Sequence, residues 1–412
     1  MACAGDASQT CGSSYRINIY QYLGTPPNSN GKVVVAHDGF ALNVGSSSWQ
    51  PGQVASAYAA AVGTNFKLFL SFDMTAISCG DAGSANLLRQ YINNYANHPN
   101  QLYYQGKQVV STFAGDSCTF GQGDLNNGWN YAVKQGVSSS VMFIPSFFSD
   151  PSTFSSNWAQ DGDFNWNGGW PMGDYDVNFS SDQSHINAIG GKKFIAALTP
   201  MFYTHYGPNS WNKNWIYRSD DWLYNNRWEM LIQNRAQIDI VEVDYGESHY
   251  VGWALGPDLA GADAWVTGFD HQGFLVMNKY YADAWRTGTY ATITKNQVFL
   301  FARPHPKGAV ASNDPVGPPN NRDWTDDNLY AVVFAASSAN GGSLQLSIGS
   351  FSNTFSVSTG VNKFKLSLSP GSPSAILKDS GGATLITFSP SNFNYVNNPT
   401  TYNFNYYMAA SP

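Results

Sequence analysis

The chain has 412 residues, 43 % of them hydrophobic, which is enough for a sizeable core and suits one large domain plus a smaller one. Charged residues make up only 12 %, against about 25 % in an ordinary domain, and the net charge is −7 with Lys and Arg scattered, so no basic patch offers itself to nucleic acid. No run of about 18 apolar residues occurs, so no segment reads as a membrane span.

Residues 1–31 are polar, with Pro and Gly, and read as an irregular lead-in; Met1-Ala2-Cys3 reads as a start joined to a mature sequence. Short apolar runs follow at 33–36, 40–42, 67–72, 108–113, 141–144, 194–198, 238–243 and 298–301. They are continuous rather than alternating, as parallel strands buried on both faces require. Between them, 53–62, 84–97, 126–135, 182–188 and 221–235 carry apolar residues at helical spacing, and 258–286 does so with breaks. Eight strands alternating with helices predict a (β/α)8 barrel of the TIM type over 32–305. Pro-rich sequence then predicts a linker over 306–327. Beyond it, short strands at 330–335, 344–348, 353–357, 363–368, 374–377 and 384–388, separated by Gly, Ser and Asn, predict an antiparallel β-sandwich over 328–412.

In a parallel barrel the chemistry sits where strands run out into loops. The predicted strand ends carry His37, Asn43, Asp73, Asp116, the pair Phe147-Phe148, and Tyr203, His205 and Tyr206. The seventh end is the richest: Glu242, Asp244 and Glu247 lie within six residues, beside Tyr245, His249 and Tyr250. Hydrolysis of a glycosidic bond needs one protonated carboxyl for the leaving oxygen and one ionised carboxyl for water or carbon. Crowded carboxyls in a partly dry cleft supply both states at one pH. A solvated acidic loop is the plain alternative, and Glu242 reads equally well as a core or ion-pair residue. Gly246 is placed to permit a sharp turn. His37, His205 and His249 match no zinc spacing, and no Gly-x-Ser-x-Gly elbow follows a strand, so neither a metal, a cofactor nor a serine triad is expected.

Aromatic residues reach 15 %, and most of them fill a core. Those near strand ends, Phe147, Phe148, Tyr203, Tyr206, Trp222 and Tyr245, are expected to line an open cleft where flat ring faces stack on sugars. Four cysteines point to two disulfides in an oxidising compartment. Cys79 and Cys118 follow neighbouring predicted strands and are expected to pair, leaving Cys3 for Cys11. Asn178-Phe179-Ser180 is an N-glycosylation acceptor.

Seven of these stretches, in order, resemble family 71 of the glycoside hydrolases, the fungal α-1,3-glucanases or mutanases. They are Val33 to His37, Asp38 to Asn43, Ser71 to Met74, Ser111 to Gly115, Met201 to Thr204, Asn214 to Asp221, and Asp244-Tyr245-Gly246-Glu247-Ser248-His249-Tyr250. The resemblance covers 32 to about 305, and less specifically the β domain after it. It implies a barrel that cuts α-1,3-glucan internally with inversion, Asp244 as general base and Glu247 as general acid. Asp220, Asp221 and Trp222 join the candidates for binding the polysaccharide, and a secreted or wall-bound monomer is expected. Two departures stand out. The family has a loop and a helix between its Ala-His strand and the Asp-Gly-Phe-Ala-Leu-Asn strand, whereas His37 here joins Asp38 directly. A Thr-Trp-Asn-like stretch usually precedes Asp-Tyr-Gly-Glu, whereas Val243 here leads straight into Asp244. Parallel neighbours need a crossover of about a dozen residues, so 33–37 and 40–44 are expected to form a hairpin or one merged strand. A glucan-binding wall protein without activity, and an endo-hydrolase of another polysaccharide, are the competing readings.

Overall fold

The structure is a computed structural model that describes residues 39–244, 246–252 and 262–412. The run 33–36, His37, the Cys3–Cys11 pair and Tyr245 lie outside the described residues. The chain divides into two compact units. The first holds residues up to 169 with 178–198 and 233–246, and the second holds 170–177, 199–232 and 247–412.

The first unit is α/β. Its parallel strands are β1 (Gly39–Val44), β2 (Lys67–Asp73), β4 (Lys107–Phe113), β5 (Val141–Phe143), β6 (Gly162–Asn165), β7 (Lys193–Leu198) and β10 (Ile240–Val243). β5 and β6 are joined by Asp161 N to Phe143 O at 2.7 Å and Phe164 N to Pro145 O at 2.9 Å. Helices α1 (Gln50–Ala61), α2 (Ala85–Tyr95), α3 (Leu125–Trp129) and α4 (Ser180–Ala188) make the crossovers. In α2 the buried residues Ala85, Leu88 and Ile92 fall at i, i+3 and i+7, one stripe of a 3.6-residue helix. A short strand β3 (Tyr103–Tyr104) turns back antiparallel onto β4 through Gln105 and Gly106, both at positive φ, the geometry of a two-residue type I′ hairpin.

One apolar cluster lies on the inward face of this sheet: Phe69, Val109, Met142, Ile144, Phe164, Ile195 and Ala197. Ala41 of β1 and Ile240 of β10, from opposite ends of the strand order, both pack on it. β6 escaped the sequence reading because it carries little apolar signal. Its Gly162 is required by packing, since a Cβ there would stand 2.3 Å from Lys193 O. Its Asp163 is buried against His185 Nδ1 at 2.6 Å.

Cys79 and Cys118 are bonded. They clamp the loop after β2 to the loop after β4, which also turns through Gly115 at φ +105°, where a side chain would strike Trp129 at 2.6 Å. The bridge closes a loop of 39 residues, so the chain-entropy estimate for its loss is about 3–4 kcal/mol. Urea titration of a Cys79→Ser/Cys118→Ser double variant is expected to show a lower midpoint. An unchanged midpoint would contradict the bridge.

The second unit contains a two-stranded antiparallel ribbon, β8 (Tyr203–His205) and β9 (Asn214–Ile216), and the helices α5 (Leu223–Gln233, which the unit holds up to Ile232), α6 (Asp263–Val266) and α7 (Gln272–Thr287). Two four-stranded antiparallel sheets complete it. One is β15 (Gly360–Ser367), β12 (Asn328–Ala335), β11 (Gln297–Ala302) and β18 (Tyr407–Ala410). The other is β14 (Phe351–Ser356), β13 (Ser343–Ile348), β16 (Pro373–Lys378) and β17 (Thr384–Phe388). They share a core of Val298, Leu300, Leu329, Ala331 and Val333 against Leu344, Leu346, Ile348, Ala375 and Leu377, which is a sandwich.

The run 298–301 corrects the expectation of an eighth parallel strand. As part of β11 it pairs antiparallel with β12 and β18. It is buried on both faces all the same: Val298 and Leu300 enter the sandwich core, while Phe301 meets Phe274 of α7 at 5.3 Å. Double-sided burial was what the apolar run encoded, and it does not specify strand direction. The Pro-rich stretch after 306 is fastened to the ribbon. Ile216 N donates to Asn320 O at 3.0 Å, Asn320 N returns one to Asn214 O at 3.0 Å, and Asp314 Oδ2 lies 2.9 Å from His205 Nε2.

Candidate active site

Strand alternation carries the inward face past its apolar layer into a polar one. Phe69 gives way to Ser71 and Asp73, Val109 to Ser111, Ile144 to Ser146, and Ala41 to Asn43. Asn43, Ser71 and Ser111 are register neighbours, as are Asp73, Phe113 and Ser146. Ile240 likewise leads to Glu242 and then Asp244, whose N–H donates to Leu198 O at 3.2 Å. The first unit therefore gathers Asn43, Asp73, Glu242 and Asp244 on one face at the carboxyl ends of parallel strands. Asp73 is engaged there: its Oδ1 accepts from Thr75 N at 3.0 Å and Thr75 Oγ1 at 2.6 Å, fixing the turn after β2. Asp116 is exposed between Gly115 and the disulfide.

Glu242 is half-buried, and its Oε2 has no hydrogen-bond partner. Burial, reinforced by the neighbouring Asp244 charge, pushes its carboxyl up from 4.5 to about 8. Between those values the folded chain holds a proton that the unfolded chain has released, so stability falls as pH rises through that window. A Glu242→Gln variant removes this dependence. It is expected to match the parent near pH 4.5 and to be the more stable of the two at pH 8, measured by urea unfolding at both values. Equal stabilities across the range would contradict the proton uptake.

Glu247 opens the second unit's share of the Asp-Tyr-Gly-Glu-Ser-His-Tyr stretch. Gly246 lies in a bend, and Glu247 just after it stands at φ +40°. A non-glycine residue there is strained, and such strain recurs at functional sites. The Glu247 side chain is 14 % exposed, with Oε1 3.4 Å from Lys213 Nζ. Its neighbours hold the turn rigidly. Ser248 Oγ accepts from Tyr203 N at 2.6 Å. His249 Nδ1 lies 2.7 Å from Thr199 Oγ1, and that hydroxyl donates its one proton to Met201 O at 2.7 Å. Nδ1 is therefore the donor of the pair. The imidazole is flanked by Phe202 at 4.2 Å and Trp170 at 5.3 Å. Tyr250 OH donates to Phe269 O at 2.6 Å and accepts from Asn405 Nδ2 at 2.8 Å.

Other sequence candidates in the second unit are held by partners within it. Asp220 is buried against Arg303 and also accepts from Tyr330 OH at 2.9 Å. Burial pushes its carboxyl up, and the Arg303 charge opposes that shift. Asp221 pairs with Arg218 at 2.8 Å and with Lys365. Trp222 Nε1 donates to Ala331 O at 3.3 Å, so this ring leans on the sandwich. His205 is held at both nitrogens, by Asn214 Oδ1 at 2.8 Å and Asp314. Of the aromatic residues expected to line a cleft, Phe147, Tyr203 and Tyr206 are buried, because ring neighbours such as Trp129 and Trp265 enclose them. Among the described ones, only Phe148, at 44 %, is well exposed. Sequence reasoning named Ser146 only as part of a strand end and passed over Thr199, Lys213, Ser111 and Trp166. The last two lay two residues beyond inward-facing apolar positions, and that spacing was the available signal.

The model of glycosyl hydrolase family 71 matches residues 34–412. This chain belongs to glycosyl hydrolase family 71. The family 71 chain is 37 % identical over 388 residues to the glucan endo-1,3-alpha-glucosidase agn1 of Schizosaccharomyces pombe, covering 91 % of this chain and 87 % of that protein. It is 32 % identical over 314 residues to a mutanase, Pc12g07500, of Penicillium rubens, covering 73 % of this chain and 66 % of the other. It is 30 % identical over 400 residues to the ascus wall endo-1,3-alpha-glucanase of Schizosaccharomyces pombe, covering 90 % and 89 %. Among the described residues no helix is long and apolar enough to cross a membrane. Asn178, the first residue of the Asn-Phe-Ser stretch, is exposed.

Proposed function

We propose that this chain hydrolyses internal α-1,3-glucosidic bonds of α-1,3-glucan, with Asp244 and Glu247 as its acid–base pair. The reading rests on family membership together with relatives named for that activity over nine-tenths of this chain. Asp244 follows the last strand of the parallel sheet and Glu247 comes three residues later, at a strained turn. In the proposed reaction Glu247 protonates the departing glucosyl oxygen while Asp244 takes a proton from the attacking water. Inversion at the anomeric carbon is part of the proposal, as is a secreted or wall location, which the disulfide and the exposed Asn178 support. Incubation with insoluble α-1,3-glucan is the test. New reducing ends and a spread of soluble oligosaccharides are expected, with the fresh anomer in the β configuration by proton NMR. Binding without new reducing ends would make the chain a glucan-binding wall protein instead.

A further inference from the structure

Three rings stand together at the carboxyl ends of adjacent strands in the first unit. Phe113 ends β4, Phe148 follows β5 and Trp166 follows β6. Phe113 lies between the other two, 5.0 Å from Phe148 at 70° and 4.9 Å from Trp166 at 71°. Both contacts are edge-to-face. Trp166 rests on Phe164 at 5.1 Å and on the inward apolar cluster, so it covers that layer while staying partly exposed. Phe148 is 44 % exposed.

A second observation comes from the polar layer on the same face. Ser111 precedes Phe113 by two residues on β4, and Ser146 is the register neighbour of Phe113. Each is only 1 % exposed, and neither Oγ has a hydrogen-bond partner. A buried hydroxyl without a partner is costly, and two of them beside a partly exposed ring cluster are arranged for a ligand that brings its own hydroxyls. Sugars combine that property with a flat apolar ring face, and the rings here offer the complementary surface. Neighbouring Asn43 and Ser71 add neutral polar groups, and Asp73, in register with Phe113, is engaged by Thr75.

We infer that Phe113, Phe148 and Trp166, with the hydroxyls of Ser111 and Ser146, form a glucosyl subsite that positions the polysaccharide for cleavage. The inference rests on the activity proposed above. A pyranose ring stacks on Trp166 or Phe148, and its hydroxyls exchange hydrogen bonds with the two serines. These are positioning residues, so their loss acts on binding rather than on proton transfer.

The test uses the whole chain and an α-1,3-linked glucose tetramer. Tryptophan emission should shift when the tetramer is added to the parent protein, and a Trp166→Phe variant should lose most of that shift. Phe148→Ala, an exposed position tolerant of truncation, should raise KM on the tetramer about tenfold with kcat changed less than threefold, and Ser146→Ala should raise KM about threefold. Parental KM in Phe148→Ala and Ser146→Ala, with the parent active, would overturn the subsite and leave the activity standing. A parent protein that neither binds nor cuts the tetramer or the polymer would overturn both.

Discussion

Exchange of Glu247 for Gln, or of Asp244 for Asn, is expected to lower turnover on α-1,3-glucan by at least ~100-fold, the low end for general acid–base catalysis. Each substitution keeps shape and removes one proton-transfer group. Affinity for the insoluble polymer and the melting temperature should stay near parental values. The two losses are separable by leaving group. A glucosyl donor carrying fluoride needs little help from an acid, so Glu247→Gln should recover much of its rate on that donor. Asp244→Asn should not recover, because water still lacks its base. Near-parental turnover on glucan in either variant would move the site elsewhere on the strand ends, with Asp73, Asp116 and Glu242 next in line.

The second large effect concerns stability. Asp220 and Arg303 face each other with side chains 0 % and 3 % exposed, and Tyr330 and Asp326 O complete the arrangement. Removing one member of a buried pair leaves the other charge with neither water nor partner. Asp220→Asn is therefore expected to cost about 3–5 kcal/mol, read as a lower urea midpoint. Replacing both residues together, Asp220→Leu with Arg303→Met, should recover most of that loss, since an apolar pair of similar volume carries no stranded charge. A single variant within about 1 kcal/mol of the parent would mean that water reaches the site.

The sequence revealed most elements because their signals are local. The stripe Ala85, Leu88, Ile92 and the alternation of β13 and β16 follow from the period of each element. Strand direction was not legible at 298–301, because parallel and antiparallel strands buried on both faces share the same apolar run. β6 was not legible either, since its Asp163 and Gly162 are explained only by His185 and Lys193, distant in sequence. The same contrast holds at the site. Three carboxylates within six residues stood out in the primary structure. Asp220 and His205 looked alike as polar residues near strand ends, and their partners Arg303 and Asp314, distant in sequence, were not legible.

The first unit is assembled from separated stretches of chain, and β7 reaches its partner β10 only after residues 199–232 have been spent on the other unit. On a ribosome, β7 therefore waits with one edge unpaired until 240–243 emerge. An open edge of this kind invites pairing with other chains. The two units cannot be separated by a single cut. A fragment ending at 198 lacks the strand that carries Glu242 and the approach to Asp244, and it exposes β7 along its length. Expression of that fragment should yield aggregate, whereas a circular permutant opened in an exposed surface turn such as Gly190-Gly191 keeps every strand pair and can still close the sheet.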